Sequence, residues 1–125
     1  RLIKVSDIMH AGDDLPLISS DSLMSDALIE MSAKSFGCVG ITGPDGLLQG
    51  VITDGDLRRH MSTELISKKT SDVMTESAMS INPEMLVSVA LGIMNVRAIT
   101  NIFVTKDDRP VGILHIHDCL RAGVA

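Results

Sequence analysis

The stretch Gly50-Val51-Ile52-Thr53-Asp54-Gly55-Asp56-Leu57-Arg58-Arg59 decides how the chain is read, because an apolar, β-branched run stops there at a hydroxyl, two carboxylates and an arginine pair. It reads as strand, tight turn, helix. Asp54-Gly55 offers a residue free to take positive φ, and Asp56 is placed to cap a helix from Leu57 onward. Such a corner is polar: helix amides suit an anion, the Thr53 hydroxyl adds a donor, and Asp56 can accept from the two hydroxyls of a ribose. Arg58 or Arg59 can offset negative charge if the helix turns one of them inward. Taken alone, the corner supports the plainer reading that Asp56 is only an N-cap. Recurrence changes that. Gly112-Ile113-Leu114-His115-Ile116-His117-Asp118-Cys119-Leu120-Arg121 repeats the pattern 62 residues on, and Gly50, Asp56 and Arg59 return as Gly112, Asp118 and Arg121.

The rest of the chain repeats too. Ser6-Asp7-Ile8-Met9 returns as Ser71-Asp72-Val73-Met74 at an offset of 65, and Leu23, Ser25, Ala27, Leu28 and Met31 return as Leu86, Ser88, Ala90, Leu91 and Met94 at 63. Two copies of so long a unit indicate a duplicated half-domain rather than a solenoid. In the first copy Leu17-Ile18 is a brief strand, and Leu23, Ala27 and Met31 keep the period of an amphipathic helix that ends near Gly37. Cys38 to Ile41 and Leu47 to Ile52 form a hairpin around Gly43-Pro44-Asp45-Gly46, and Leu57 to Met61 closes the copy as a helix. The second copy has a strand near Met79 to Ile81, a helix after Pro83, strands Asn101 to Val104 and Val111 to Leu114 around a loop Lys106 to Pro110, and a helix from Asp118. Its Met85 to Met94 segment is apolar nearly all round, where the first copy keeps Asp26 and Glu30 for water. Such a helix is buried on more than one side or against another chain.

Composition bounds the function. At 125 residues, 45% of them hydrophobic, the chain can bury one real core. A net charge of −5 and only two aromatics, Phe36 and Phe103, argue against nucleic acid, which needs a basic groove and stacking platforms. No apolar run approaches the roughly 20 residues of a membrane span, and no secretory leader is visible, so no membrane partner is expected. Cys38 and Cys119 lie in apolar segments as reduced, packed thiols, which favours the cytoplasm. The chain begins at Arg1 rather than methionine and reads as a part of something longer.

Two copies of strand, helix, strand, strand, helix, each closing on glycine, an apolar pair, Thr or His, two residues and Asp, resemble the paired cystathionine-β-synthase-type modules, or CBS pairs, over the whole chain. The resemblance implies an α/β (α+β) fold. In it two pseudo-twofold-related β-α-β-β-α repeats, 1–62 and 63–125, pack into one disc, with small ligands, usually nucleotides, in clefts between the copies. It places the family's hydroxyl and acid positions on Thr53 and Asp56, and the acid again on Asp118, where His115 replaces the hydroxyl residue. More narrowly, Asp7-Ile8-Met9-His10 with Gly12-Asp13, the Thr53 to Arg59 corner, His115-Ile116-His117-Asp118 and Leu120-Arg121-Ala122-Gly123-Val124 are similar to the C-terminal CBS pair of bacterial D-arabinose 5-phosphate isomerases. Those enzymes interconvert ribulose 5-phosphate and arabinose 5-phosphate for synthesis of the lipopolysaccharide sugar Kdo. Their catalytic residues belong to an N-terminal sugar isomerase domain, so no catalytic residue is assigned here.

Three functions compete. A regulatory ligand-binding module would use Thr53, Asp54, Asp56, Arg58, Arg59, His10, His115, His117 and Asp118, with CMP-Kdo ahead of AMP or ATP as effector and no cofactor required. His115 and His117 are read as donors that gain protons below about pH 6.5. A metal site could draw on the same two histidines at i, i+2 with His10, but zinc usually wants a third or fourth ligand at defined spacing. An oligomerisation module, a homodimer through the Met85 to Met94 helix, is compatible with the first; Gly92 costs about 1 kcal/mol of helix propensity yet permits close approach.

Overall fold

A computed structural model describes residues 2–124, so Arg1 and Ala125, the outer ends of the two repeats, lie outside the described residues. The elements, in order, are α1 (Val5–Ile8), β1 (Leu17–Ser19), α2 (Met24–Lys34), β2 (Cys38–Thr42), β3 (Leu48–Thr53), α3 (Asp54–Arg59), α4 (Thr70–Val73), β4 (Thr75–Glu76), β5 (Ser80–Ile81), α5 (Val87–Arg97), β6 (Asn101–Lys106), β7 (Arg109–His115) and α6 (Ile116–Arg121). Both copies therefore carry β-α-β-β-α, each preceded by one turn of helix.

The compact units are not the sequence copies. One unit runs Pro16–Ala78; the other joins the residues up to Leu15 with those from Met79 onward. The hydrogen bonds explain the exchange. The Val5 amide donates to Met85 O and the Val87 amide to Ile3 O, both at 2.8 Å, so the α1 segment lines the entry of α5. In the Pro16–Ala78 unit the Met24 amide donates to Lys68 O (2.8 Å) and the Thr70 amide to Ser22 O (2.9 Å), so the α4 segment lines the entry of α2. In each case the first amides and the entry strand of a long helix, which a helix cannot satisfy itself, are paired by the other copy's leading segment.

In the Pro16–Ala78 unit the sheet order is β1-β2-β3-β4, with β1 parallel to β2 and the other pairs antiparallel. Met24, Ala27 and Met31 of α2 pack on Val39, Ile41 and Ile52, with Leu65 and Val73 closing the core. The other unit has β5-β6-β7 in the corresponding order. Val87, Ala90, Leu91 and Met94 of α5 pack there on Ile81, Ile102, Val104 and Leu114, with Val5 and Cys119. Cys38 and Cys119 are free and buried.

Several local expectations are corrected. The helix after β3 starts at Asp54, three residues before Leu57, and Gly55 is not among the positive-φ residues. No turn intervenes, because Thr53 rather than Asp56 is the N-cap. Likewise α6 begins at Ile116, two residues before Asp118. The β6–β7 loop is only Asp107-Asp108, at φ 53° and 61°, and the strands extend through Lys106 and Pro110. That is the type I′ geometry that matches strand twist, here in two residues that are not glycine. Finally, α5 spans Val87–Arg97 and is apolar on two sides only. Its outer side exposes Val89 and Val96 beside Ser88 and Asn95.

Candidate functional site

Each unit has one corner where the second strand of its hairpin enters a short helix. At the first, Thr53 ends β3 extended (φ −119°, ψ 173°) and caps α3 through a reciprocal box: its side chain accepts from the Asp56 amide, and its own amide donates to Asp56 Oδ2 at 2.9 Å. The Thr53 hydroxyl also reaches Asp56 Oδ2 at 3.2 Å. Asp56 Oδ1 accepts from Arg59 Nη2 and from the Thr75 hydroxyl, both at 2.6 Å. A buried carboxylate has about four lone-pair positions, and here all four face donors of the same unit. Burial by itself raises the Asp56 pKa, but the donors Thr75, the Thr53 amide, Arg59 and the Thr53 hydroxyl outweigh it and leave it below the ordinary carboxylate value.

The second corner repeats this with other side chains. His115 caps α6, its Nδ1 accepting from the His117 amide at 3.0 Å, and the His115 amide donates to Asp118 Oδ2 at 2.9 Å. His10 Nε2 lies 3.0 and 3.1 Å from the two Asp118 oxygens, and Arg121 pairs with Oδ1. Burial raises the Asp118 pKa, and the His115 amide, His10 and Arg121 together bring it below normal. His115 is held below the ordinary imidazole range, first by burial and then by the neighbouring His117. With Nδ1 accepting, its ring is the neutral tautomer carrying hydrogen on Nε2. The ring still donates through Nε2–H, but it gains its second proton at lower pH than the ordinary imidazole value.

Among the candidate residues, Thr53, Asp56 and Arg59 converge at one corner, and His10, His115 and Asp118 at the other, where Arg121, not among the candidates, joins them. Asp54 is the exposed first residue of α3, and its charge adds to the burial that raises the Cys38 thiol to about 12, which leaves that thiol protonated. Arg58 points to solvent rather than to Asp56. His117 is not on the strand: β7 stops at His115, and His117 sits in α6 with its ring centroid 4.6 Å from that of His115. Among the described residues no three metal-ligating side chains converge.

Sequence reasoning missed Thr75. The signal was available, since the offset of 65 that relates Met9 to Met74 also aligns His10 with Thr75, and each follows the methionine of its copy. The recurring glycines explain how both reach their carboxylates. A Cβ on Gly50 would lie 2.5 Å from Thr75 O and 2.9 Å from Met74 Sδ, and one on Gly112 would overlap Met9 Sδ. Bare backbone at these two positions lets the methionine segment cross the strand in contact with it.

The family model for the CBS domain matches residues 5–63 and again 71–125. The chain belongs to the CBS-domain family. This CBS pair is 42% identical over 125 residues to an arabinose 5-phosphate isomerase, KdsD, of Yersinia pestis, and 39% identical to KdsD of Escherichia coli K12. Both matches take in 98% of this chain and 38% of the relative, so the chain spans well under half the length of the curated relatives it matches. Among solved structures it is similar to CBSX2 in complex with AMP, with a TM-score of 0.83 at 21% identity over 96% of this chain and 95% of that one. It is also similar to a putative acetoin utilization protein, AcuB, of Vibrio cholerae, with a TM-score of 0.85 at 22% identity over 98% and 91%. At those identities the likeness establishes the CBS-pair fold. No helix among the described residues is long and apolar enough to cross a membrane.

Proposed function

We propose that this CBS pair is the regulatory module of a cytoplasmic arabinose 5-phosphate isomerase in Kdo and lipopolysaccharide synthesis, sensing a nucleotide or nucleotide sugar and contributing no catalytic group. The observation that carries the reading is the 42% identity to an arabinose 5-phosphate isomerase across 98% of the chain. It is far above the 21% shared with the AMP-bound CBSX2, which supports only the class of ligand. The corners supply the chemistry. At the first, Thr53, Asp56 and Arg59 offer hydroxyl, carboxylate and guanidinium within one turn of chain, a set that suits a ribose and its phosphate, with Arg58 and Asp54 exposed beside it. At the second, the side chains of His10 and Arg121 meet Asp118 and the rings of His115 and His117 stand together beside it, a set richer in nitrogen and suited to an acidic sugar. CMP-Kdo, AMP and ATP are the candidate effectors. A thermal-shift screen of the three tests the reading: a ligand at a hundredfold excess over its dissociation constant stabilises by about 2.7 kcal/mol, a rise of several degrees for a domain of this size. No shift with any of the three at millimolar concentration overturns it. Turnover of arabinose 5-phosphate by these 125 residues alone would overturn the non-catalytic part.

A second function, homodimerisation, is favoured by the outer side of α5. Met79, Val89, Gly92, Ile93, Val96 and Arg97 line a shallow apolar groove of about 390 Å³ there, and Val96 is 88% exposed. The corresponding side of α2 carries the Glu30–Lys34 ion pair instead. Val89→Asp should convert dimers to monomers by sedimentation; an unchanged mass excludes this surface.

A further inference from the structure

The two corner carboxylates also hold the segments that leave their units, one through a neutral hydroxyl and the other through an imidazole. Thr75 to Ala78 is the last stretch of the Pro16–Ala78 unit. Thr75, Glu76 and Ser77 are exposed, β4 is only two residues long, and the Ser77 amide reaches Gln49 O at 3.4 Å from a backbone at φ 54°. Little apolar burial retains this stretch. Backbone pairing of Glu76 with Gly50 and of Thr75 with Val51 holds it, and among the described residues its one short side-chain bond is Thr75 Oγ1 to Asp56 Oδ1. The His10 segment is held in a comparable way: the backbones of His10 and Ile113 exchange two bonds of 2.9 Å, and the imidazole faces both oxygens of Asp118.

The partners of Asp56 differ in what their loss would cost. On Oδ2 the Thr53 amide belongs to the box that starts α3, and losing it uncaps the helix, while the Thr53 hydroxyl is the longer contact at 3.2 Å. On Oδ1, Arg59 is charged and 63% exposed, so it can stay beside the carboxylate while also facing a phosphate. The Thr75 hydroxyl is neutral, comes from an exposed residue outside α3 and its cap, and is replaceable one for one by a hydroxyl of a ligand.

We propose that the Thr75–Asp56 hydrogen bond is a clamp that holds Thr75 to Ser77 against β3 and that it competes with ligand for Asp56, so that an occupied corner releases the segment. The competition rests on the nucleotide reading above; the clamp does not. Hydrogen exchange by mass spectrometry on the intact chain separates them. In the ligand-free protein, Thr75→Val should speed exchange of the Thr75 to Ser77 amides about ten- to a hundredfold, the worth of a hydrogen bond to a charged group, while Ile41 and Ile52 keep their protection. Thr75→Ser, which retains the hydroxyl, should exchange like the wild type. Unchanged exchange in Thr75→Val, or loss of protection in Thr75→Ser equal to that in Thr75→Val, overturns the clamp. With AMP as the probe, the wild type should show faster exchange at Thr75 to Ser77, and Thr75→Val should bind AMP about tenfold more tightly by calorimetry, because no internal bond has to be broken first. AMP binding with neither change overturns the competition. No heat with either protein overturns the nucleotide reading and the competition together, a result distinct from failure of the ligand-free arm.

Discussion

Thr75 donates its hydroxyl to Asp56 at 2.6 Å, and His10, 65 positions earlier and at the equivalent place in its own copy, faces Asp118 at 3.0 Å. In both units a residue that directly follows a crossing methionine closes the carboxylate of the corner. The geometry depends on a glycine beneath each crossing. Gly50→Ala places a methyl carbon 2.5 Å from the Thr75 carbonyl, a backbone atom that moves only if β4 moves. Its expected cost is about 1–3 kcal/mol, the usual range for overpacking, read as a lower urea midpoint. An unchanged midpoint would mean that the crossing segment is not seated on β3.

Two left-handed positions occupied by side chains should be improvable. Ala98 ends α5 at φ 54° and ψ 42°, and Asp108 sits at φ 61° in the β6–β7 turn. Ala98→Gly and Asp108→Gly are each expected to stabilise the fold by about 0.5–1 kcal/mol. Thermal unfolding checks both. A fall in melting temperature for either would show that the side chain makes a contact worth more than the backbone strain.

Asp56 and Asp118 both titrate below the ordinary carboxylate value of 3.8. A depressed carboxylate contributes stability that is complete above its unfolded pKa and is lost as pH falls through the folded one. The chain should therefore lose stability on acidification below about pH 4, and Asp56→Asn and Asp118→Asn should each flatten that loss while lowering stability at neutral pH. Urea unfolding between pH 2.5 and 7 would show it. An acid limb identical in wild type and both variants would contradict the assignment.

His115 has the same sign for a different reason. Its imidazole is favoured neutral in the fold, by burial first and by His117 next, so the stability it adds is present above the ordinary imidazole pKa of 6.5 and is lost as pH falls through the lower folded value. His115→Ala removes the N-cap acceptor of α6 and should cost about 0.5–2 kcal/mol at pH 8, and less at pH 5. An equal cost at both pH values would show that Nδ1 is not the acceptor.

Much of this was legible in the residues. The apolar period of Leu23, Ala27 and Met31, the hairpin signals and the paired corners lead to two β-α-β-β-α copies, and the recurrence of Gly50 and Gly112 marked the place where backbone comes close to backbone. The start of α3 was misread because Asp54-Gly55 is good turn chemistry, yet a threonine with an aspartate three residues later is a stronger start signal and begins the helix at once. The membership of the compact units could not be read from the period. It depends on backbone bonds between α1 and the entry of α5, and between α4 and the entry of α2, and backbone groups carry no sequence signature. Thr75 escaped notice for a related reason: an exposed threonine on a two-residue strand looks like any other until its distance to Asp56 is known.

The central claim, that the corners sense a nucleotide or nucleotide sugar, is tested most directly by isothermal calorimetry of the wild-type chain with CMP-Kdo, AMP and ATP, repeated with Asp56→Asn and Asp118→Asn. At least one ligand should bind at millimolar concentration or below, and at least one substitution should weaken it tenfold or more while the circular dichroism spectrum is unchanged. If none of the three binds the wild type, or if both variants bind as the wild type does, the sensory account is wrong and the homodimer face on α5 is the function that remains.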